Sequence, residues 1–387
     1  VLHGLVADFK RKTHDFVGDC VVTSRSLVGF AYYQDFIDVL EQSGLIEAAS
    51  PVVRSYALYS FHGSSEGTRD VQIVGVDPVR HSRATGFGAS LFHRQDDVER
   101  AFAPLYDPNR AGCVFGIDEI LNRNEDGHYE HYTSPPQMRY DITCFPLTAR
   151  GALLKGGTGG ASTKVFYLSD TSHSGLARVD GKVVYVSLEQ AQALCGMSGQ
   201  TPRVNAIHIR FVPTVSVQKG AQQVAELWRQ FKLDKADAEF SYLLDNVLVQ
   251  DWKRFRRASI AAMEKEEAGI IFMFILVAIT TAFIVFVVFY MIVSHKRRDI
   301  GILKSAGVSS LGIVGVFANF SALIGLFGSC GGLLGGCVFL RYINQLEDWL
   351  HDTVGFQLWN RTMFAMGDIP NTVNPYVLLA VMGTAFV

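Results

Sequence analysis

Residues 268–294 read AGIIFMFILVAITTAFIVFVVFYMIVS, 27 positions without a single Asp, Glu, Lys or Arg. A helix over them has no polar stripe to turn toward water, and about 20 apolar residues suffice to cross the hydrocarbon of a bilayer. The stretch therefore predicts a membrane-spanning helix over 268–294. On its C-terminal side HKRRDIGILKSAGVSS (295–310) breaks the apolar run, and residues 311–340 then form a second one. Gly328, Gly332 and Gly336 stand four apart, as do Gly331 and Gly335. On a helix these make two adjacent flat strips, which predict close packing against a neighbouring transmembrane helix.

The outer parts of the chain fit the same plan. Pro375–Val387 reads as the first half of a further spanning helix, and residues 341–374 as the loop before it. Residues 1–12, with apolar Val1–Val6 ahead of Asp8, Lys10, Arg11 and Lys12, read as the end of an earlier membrane helix and its extension. Positive charge in short loops marks the cytoplasmic side. His295, Lys296, Arg297, Arg298 and Lys304 cluster between the two complete spans, which places 295–310 inside and residues 13–239 outside. Lys253, Arg254, Arg256, Arg257 and Lys265 lie near the membrane on the outer end, but large domains translocate largely regardless of charge.

Within 13–239 the β-rich runs Val71–Val76, Val165–Leu168, Val183–Val186 and Ala206–Val212 alternate with helical patterns at Tyr33–Gln42, Leu188–Leu194 and Ala221–Phe231, an α+β domain. Asp180-Gly181 has hairpin chemistry between 176–179 and 182–186. Residues 240–267 predict a long stalk helix running into the membrane, with Trp252 and Phe255 on one face and Glu264 and Lys265 near the bilayer.

A net charge of -2 excludes nucleic acid as a partner on bulk electrostatics. Cys20, Cys113, Cys144, Cys195, Cys330 and Cys337 are scattered, with no metal-ligand spacing, and read as packing residues. The stretch 156–164, GGTGGASTK, is not a phosphate loop: Thr163 precedes Lys164 and Val165 follows, where Gly and then Ser or Thr are needed. It reads as a flexible glycine loop. His128 and His131 flank Glu130 without a third ligand, and no nucleophile, base and orienter set appears, so no catalytic residue, metal or bound cofactor is expected. Asn360-Arg361-Thr362 has the form of a glycosylation acceptor.

The informative segment is Lys296–Ser309. A short amphipathic helix fits it, with Ile300 and Leu303 on one face, Arg298, Asp299 and Lys304 solvated, Gly307 as C-terminal cap and Ser309 beyond. Such a helix is a handle for a cytoplasmic partner, or simply a solvated positive loop.

Here the sequence resembles the FtsX/MacB/LolC-type permease superfamily, whose pattern KR-x-E-I-x-[IVL]-L-[RK]-x-x-G-[AVS]-S precedes a glycine-rich helix; Asp299 stands where Glu is usual. The LolC/LolE lipoprotein-releasing permeases look similar over most of the chain, at Leu2-His3-Gly4, Ser50-Pro51, Gly75-Val76-Asp77-Pro78, Ser174-Gly175, Val184–Glu189, Trp252, Glu264-Lys265, Phe356-Gln357-Leu358 and Ile369-Pro370. Leu153–Ala161 corresponds to a protruding hairpin that hands lipoprotein to its carrier, while Phe87–Glu130 matches no landmark. The resemblance implies a bacterial inner-membrane permease: a membrane α-helical four-span core, two of the helices complete in this chain, plus a large α+β periplasmic domain of MacB/LolC type. It implies a separate cytoplasmic ABC ATPase dimer carrying ATP and Mg, a second permease copy or paralogue, membrane lipid, and a periplasmic lipoprotein carrier. MacB-like export of a peptide, macrolide or toxin, and FtsX-like regulation of cell-wall hydrolases, are the other functions it allows.

Overall fold

The computed structural model describes residues 2–63, 67–121, 129, 137–154 and 160–354. These separate into two compact units, Phe9–Ala258 and Ser259–Val354 together with the chain up to Asp8. In chain order the elements are α1 (Leu2–Val17), β1 (Cys20–Ser24), α2 (Tyr33–Gln42), β2 (Ile46–Phe61), β3 (Arg69–Val76), α3 (Pro78–Ala84), α4 (Phe87–Ser90), β4 (Gly112–Gly116), α5 (Ile117–Ile120), β5 (Arg139–Cys144) and β6 (Ser162–Ser172). They continue with α6 (Ala177–Asp180), β7 (Val183–Ser187), α7 (Leu188–Cys195), β8 (Ala206–Phe211), α8 (Val217–Asp234), β9 (Val247–Asp251), α9 (Trp252–Phe255), α10 (Arg257–His295), α11 (Arg297–Ser305), α12 (Ser310–Arg341) and α13 (Ile343–Val354).

The sheet of the first unit is organised by β2. This 16-residue strand pairs with β8 through Ile46–Val52, with β5 through Ala57–Phe61 and with β3 through Val52–Tyr59. The strand order β3-β7-β4-β6-β5-β2, with β2 pairing β3 again, closes a ladder on itself, and β8, β1 and β9 extend it. Closure removes sheet edges that would otherwise present unpaired backbone groups. Inside the ring Tyr59, Phe115, Tyr140 and Phe166 are buried, with Phe115 and Tyr140 ring centres 4.7 Å apart. Against the extension, α2 and α8 bury Phe36, Trp228 and Phe231 edge to face.

Small residues set the close approaches. A Cβ on Gly75 would lie 2.1 Å from that of Ala191, so α7 can rest on β3 only because that side chain is missing. Asp77 then caps α3, its carboxylate accepting from the Arg80 N–H at 2.9 Å, with Pro78 at the first helical position.

Four expectations change. Asp180-Gly181 is not a hairpin: Ala177–Asp180 is a helical turn, and the buried Asp180 carboxylate accepts from the Ser174 N–H and hydroxyl and the Gly175 N–H at 2.7–2.9 Å. That network turns the chain so that β7 lies parallel to β3. The stalk over 240–267 is not one helix: residues 241–246 are a 3-10 turn, Val247–Asp251 is an edge strand on β1, and helix resumes at Trp252 and again at Arg257. The β-branched Val247 and Val249, offered the free edge of β1, settle as strand despite the helical spacing of Leu248, Trp252 and Phe255. The expected loop 341–374 begins with α13, where Ile343, Leu346 and Leu350 recur at helical spacing. Segment 87–130, unassigned by resemblance, supplies β4, a strand in the middle of the ladder.

Both complete apolar runs are helical. Arg257–His295 and Ser310–Arg341 are helices long and apolar enough to cross a membrane, and every side chain from Ala268 to Val288 is exposed. The expected span 375–387, the His128/Glu130/His131 group, residues 156–159 of the glycine loop and residues 355–374 lie outside the described residues.

Phe115 at the centre of the ring provides a test. Phe115→Ala removes a ring packed on both Tyr59 and Tyr140 and should cost about 3–5 kcal/mol. Thermal unfolding should move down by roughly 6–20 °C; an unmoved midpoint would contradict the placement of this ring.

Candidate functional site

Two places concentrate the predicted residues. The first is the connector between the two apolar helices. α10 ends at His295, Lys296 alone interrupts the helix, and α11 runs Arg297–Ser305. Its end is a complete Schellman cap. Gly307 takes φ +89°, its N–H donates to the Lys304 carbonyl and the Val308 N–H to the Leu303 carbonyl, both at 3.2 Å. Two residues on, the Ser309 hydroxyl accepts from the Gly312 N–H at 3.2 Å and caps α12. Stop and start signals separated by one residue make Gly307-Val308-Ser309 a defined corner rather than a loose loop.

Of the predicted contact residues, Arg298, Asp299, Leu303 and Lys304 are exposed and Ile300 is half-buried. Asp299 pairs with Lys296 at 3.0 Å across one helical turn, an exposed bridge of small value. Ile302, which sequence reading passed over, is 60% exposed beside Leu303 at 47%. Two neighbouring aliphatic side chains left open on a nine-residue helix are a surface for covering, and full burial of each is worth about 1.5–3 kcal/mol.

The second place is a collar where α1 and α9 meet the sheet. Gly18 (φ +83°) ends α1, and a Cβ there would lie 2.9 Å from the carbonyl oxygens of Ala84 and Ile209. Asp19 follows. Its carboxylate accepts from the Phe211 N–H at 2.8 Å and bonds His14 Nε2 at 2.7 Å, while its carbonyl accepts from the Trp252 N–H at 3.1 Å. Burial alone would raise its pKa, but these bonds hold it below the ordinary carboxylate value. The His14 ring stacks on Trp252 at 4.8 Å. α9 itself is capped by Asp251, which accepts from the Arg254 N–H.

Behind Asp19 lies a polar core. Arg54 Nη2 donates to His208 Nε2 at 2.8 Å, so the other ring nitrogen, Nδ1, carries the proton and donates to the Val17 carbonyl at 2.7 Å. The Arg54 guanidinium also sits 5.6 Å over the Phe255 ring. His81 lies 5.7 Å from His208, its Nδ1 bonded to the Ser50 hydroxyl. Burial, with the Arg54 charge adding to it, lowers His81 to about 3 and His208 well below 6.5. Burial, with Arg256 next, lowers Arg54 to about 10. None of these residues stands at a recognisable spacing, so sequence reading missed His14, Asp19, Arg54, His81 and His208 together.

Other predicted sites are placed differently. Trp252 and Phe255 belong to the collar, whereas Glu264 and Lys265 are exposed on α10, so the stalk residues do not share one helix. Around Gly328, Gly331, Gly332, Gly335 and Gly336 no described atom beyond the neighbouring residues and the helix's own backbone lies within 4 Å of where a Cβ would stand. Thr163 and Lys164 are strand residues of β6, Thr163 bonded to Thr143 across the ladder. Among the described residues no group of three or more His, Cys, Asp or Glu could hold a metal.

Comparison with known proteins fits the first place. Residues 271–387 match the family described as FtsX-like permease C-terminal. That part of the chain is thus similar to an FtsX-like permease domain, and the connector lies inside the match. Over 130 residues the chain is 26% identical to the lipoprotein-releasing system transmembrane protein LolC of Neisseria meningitidis serogroup B, 34% of this chain and 31% of that protein. Over 207 residues it is 23% identical to the protein of the same name from Xylella fastidiosa, 54% of this chain and 46% of that protein. The chain thus spans about a third to a half of the length of these curated relatives. Among solved structures, the periplasmic region of MacB from Actinobacillus actinomycetemcomitans matches with a TM-score of 0.35 and 9% identity, covering 66% of this chain and 97% of that one. The extracellular domain of the noncanonic ABC-type transporter YknZ from Gram-positive bacteria matches with 0.33 and 10%, covering 60% and 98%. Likenesses this distant carry no part of the functional reading.

The corner and the collar each make a prediction. Gly307→Ala places a Cβ at positive φ, at a cost of about 1–2 kcal/mol, and should speed amide exchange at Val308 roughly tenfold; unchanged exchange would mean that the Schellman bonds are not what holds the corner. In the polar core behind the collar, His81 and His208 are neutral when folded and protonate below pH 6.5 when unfolded. Stability is then full above that pH and falls as pH drops, by about 2 kcal/mol per histidine between pH 7 and 5. Denaturant midpoints of the wild type should show this slope, and the His81→Gln/His208→Gln variant should flatten it; equal slopes in both would refute the assignment.

Proposed function

We propose that the chain is the permease subunit of an ABC transporter in a bacterial inner membrane, moving or releasing lipoproteins by relaying ATP-driven motion to its outer domain. The observation that carries this is the connector: an open aliphatic pair, Ile302 and Leu303, on a short helix held by a capped corner between two spans. A separate cytoplasmic ATPase dimer, carrying ATP and Mg, covers that pair. This chain hydrolyses nothing itself and is a transport subunit, not an enzyme.

The charge pattern supports the orientation, with Lys296, Arg297, Arg298 and Lys304 inside and the sheet domain outside. α10 supports the relay. Its 39 residues form a continuous helix of about 58 Å at 1.5 Å per residue. Within the sheet-bearing unit Asp19 ties α9 to α1. The glycine strips of α12 suit packing against the other helices of a four-span core and against a second permease, a copy or a paralogue. The names of the LolC relatives favour lipoprotein as cargo, and a periplasmic carrier is its proposed recipient.

Leu303→Asp and Ile302→Asp should each weaken capture of the nucleotide-binding subunit by the purified permease at least tenfold, without changing its amount in the membrane. Capture at wild-type strength by the double variant would sink the proposal. Operon context and copurification with an ATPase and a lipoprotein carrier, rather than with cell-wall hydrolases, test the cargo.

A further inference from the structure

β2 turns Val53 and Ala57 into the core and Arg54 to the opposite face. On that face Arg54 stands between Val52, which is buried, and Tyr56, which is 67% exposed, so it lies at the rim of the covered part of the sheet. The register carries the face across two further strands. Arg54 is opposite Val74 on β3, and Val74 is opposite Tyr185 on β7, so only Val74 separates the arginine from the tyrosine. α9 and the residue after it bring Phe255 and Arg256 to the same place: the Arg54 and Arg256 guanidinium carbons lie 5.6 and 5.4 Å from the centre of the Phe255 ring. Arg54, Phe255 and Arg256 are all half-buried. Arg54 gives one N–H to His208 Nε2 at 2.8 Å and, among the described residues, makes no ion pair. A guanidinium has five such donors, so most of its capacity is unspent. The Arg256 charge acts on that of Arg54 and adds to the cost of burying it. Tyr185 is 3% exposed, and its hydroxyl has no hydrogen-bond partner among the described residues. Burial raises that hydroxyl above its ordinary value, with the Arg54 charge opposing, so it stays protonated and is a donor. Asp180, the acid that acts on Tyr185, is already engaged by Ser174 and Gly175.

We propose that Arg54, Arg256 and the Tyr185 hydroxyl form a binding site for a phosphate group, walled by the Phe255 ring. A tetrahedral phosphate offers an oxygen to each of the three donor groups, and its geometry matches a guanidinium fork. A carboxylate has two oxygens and leaves one donor group unmet. Two positive charges held near each other in a half-buried place repel, and an anion between them converts that repulsion into attraction on both sides. His208 cannot supply this, because a neutral imidazole accepts a hydrogen bond without bringing a charge. The phosphate belongs either to a soluble phosphate or to the headgroup of a phospholipid, and both present the same non-bridging oxygens.

The test uses the whole chain, purified in an uncharged detergent and a buffer free of phosphate and sulfate. Calorimetric titration with inorganic phosphate, and separately with monomeric dihexanoylphosphatidylglycerol, reads binding, and sodium acetate at equal ionic strength is the control. Tyr185→Phe removes one hydroxyl and no packing, so it keeps the fold, and it should weaken binding by about tenfold, the worth of a hydrogen bond to a charged group. Arg256→Gln should weaken it by about tenfold or more. Binding of either probe that falls in this way supports the proposal: inorganic phosphate alone assigns the site to a soluble phosphate, the lipid alone assigns it to a headgroup, and both together assign it to the phosphate group whatever carries it. Binding of neither probe, acetate binding as tightly as phosphate, or equal affinity in the wild type and Tyr185→Phe overturns the proposal.

Discussion

Asp19 accepts from three directions at once, and much of the sheet-bearing unit follows from where those donors come from. The Phe211 N–H belongs to β8, His14 to the helix entering from the N-terminal side, and the Trp252 N–H, which meets the Asp19 carbonyl, to the short helix leading out. A buried carboxylate without such donors would be driven to protonate; with them it stays charged and requires every donor to remain in place. Gly18 makes the arrangement possible, since any side chain there would strike two carbonyl oxygens. The entrance and the exit of the domain are thereby one structural feature.

Behind it, the Arg54–His208–Val17 chain fixes which histidine nitrogen carries the proton and extends the tie to β2 and β8. An arginine whose acceptor is a neutral imidazole is an unusual choice for stability alone, because the guanidinium is desolvated without an opposite charge to repay it. It fixes the geometry of the joint instead. Directional hydrogen bonds and a ring stacked on a ring resist rotation better than aliphatic contacts, which are non-directional.

The connector works by a different physics. Its corner is built from backbone bonds alone, a Schellman cap and a serine cap with one residue between them, so its shape does not depend on covering by a partner. Ile302 and Leu303 stay exposed beside it.

Much of this was readable in advance, and the reason differs by element. The uncharged run 268–294 and the glycine-rich 311–340 are decided by composition, because a helix without a polar face has one stable environment. Helices such as Tyr33–Gln42 and strands such as Val183–Val186 follow from local period and β-branching. The Gly307 cap is legible because only glycine takes positive φ freely. What the residues alone could not decide is everything that depends on distant partners: Val247–Asp251 becomes a strand because β1 offers an edge, and Asp180-Gly181 fails as a hairpin because β7 finds β3. The collar joins positions 14, 19, 54, 81, 208 and 252, which have no local spacing, since tertiary folding sets contacts by distance in space while sequence patterns record only distance along the chain.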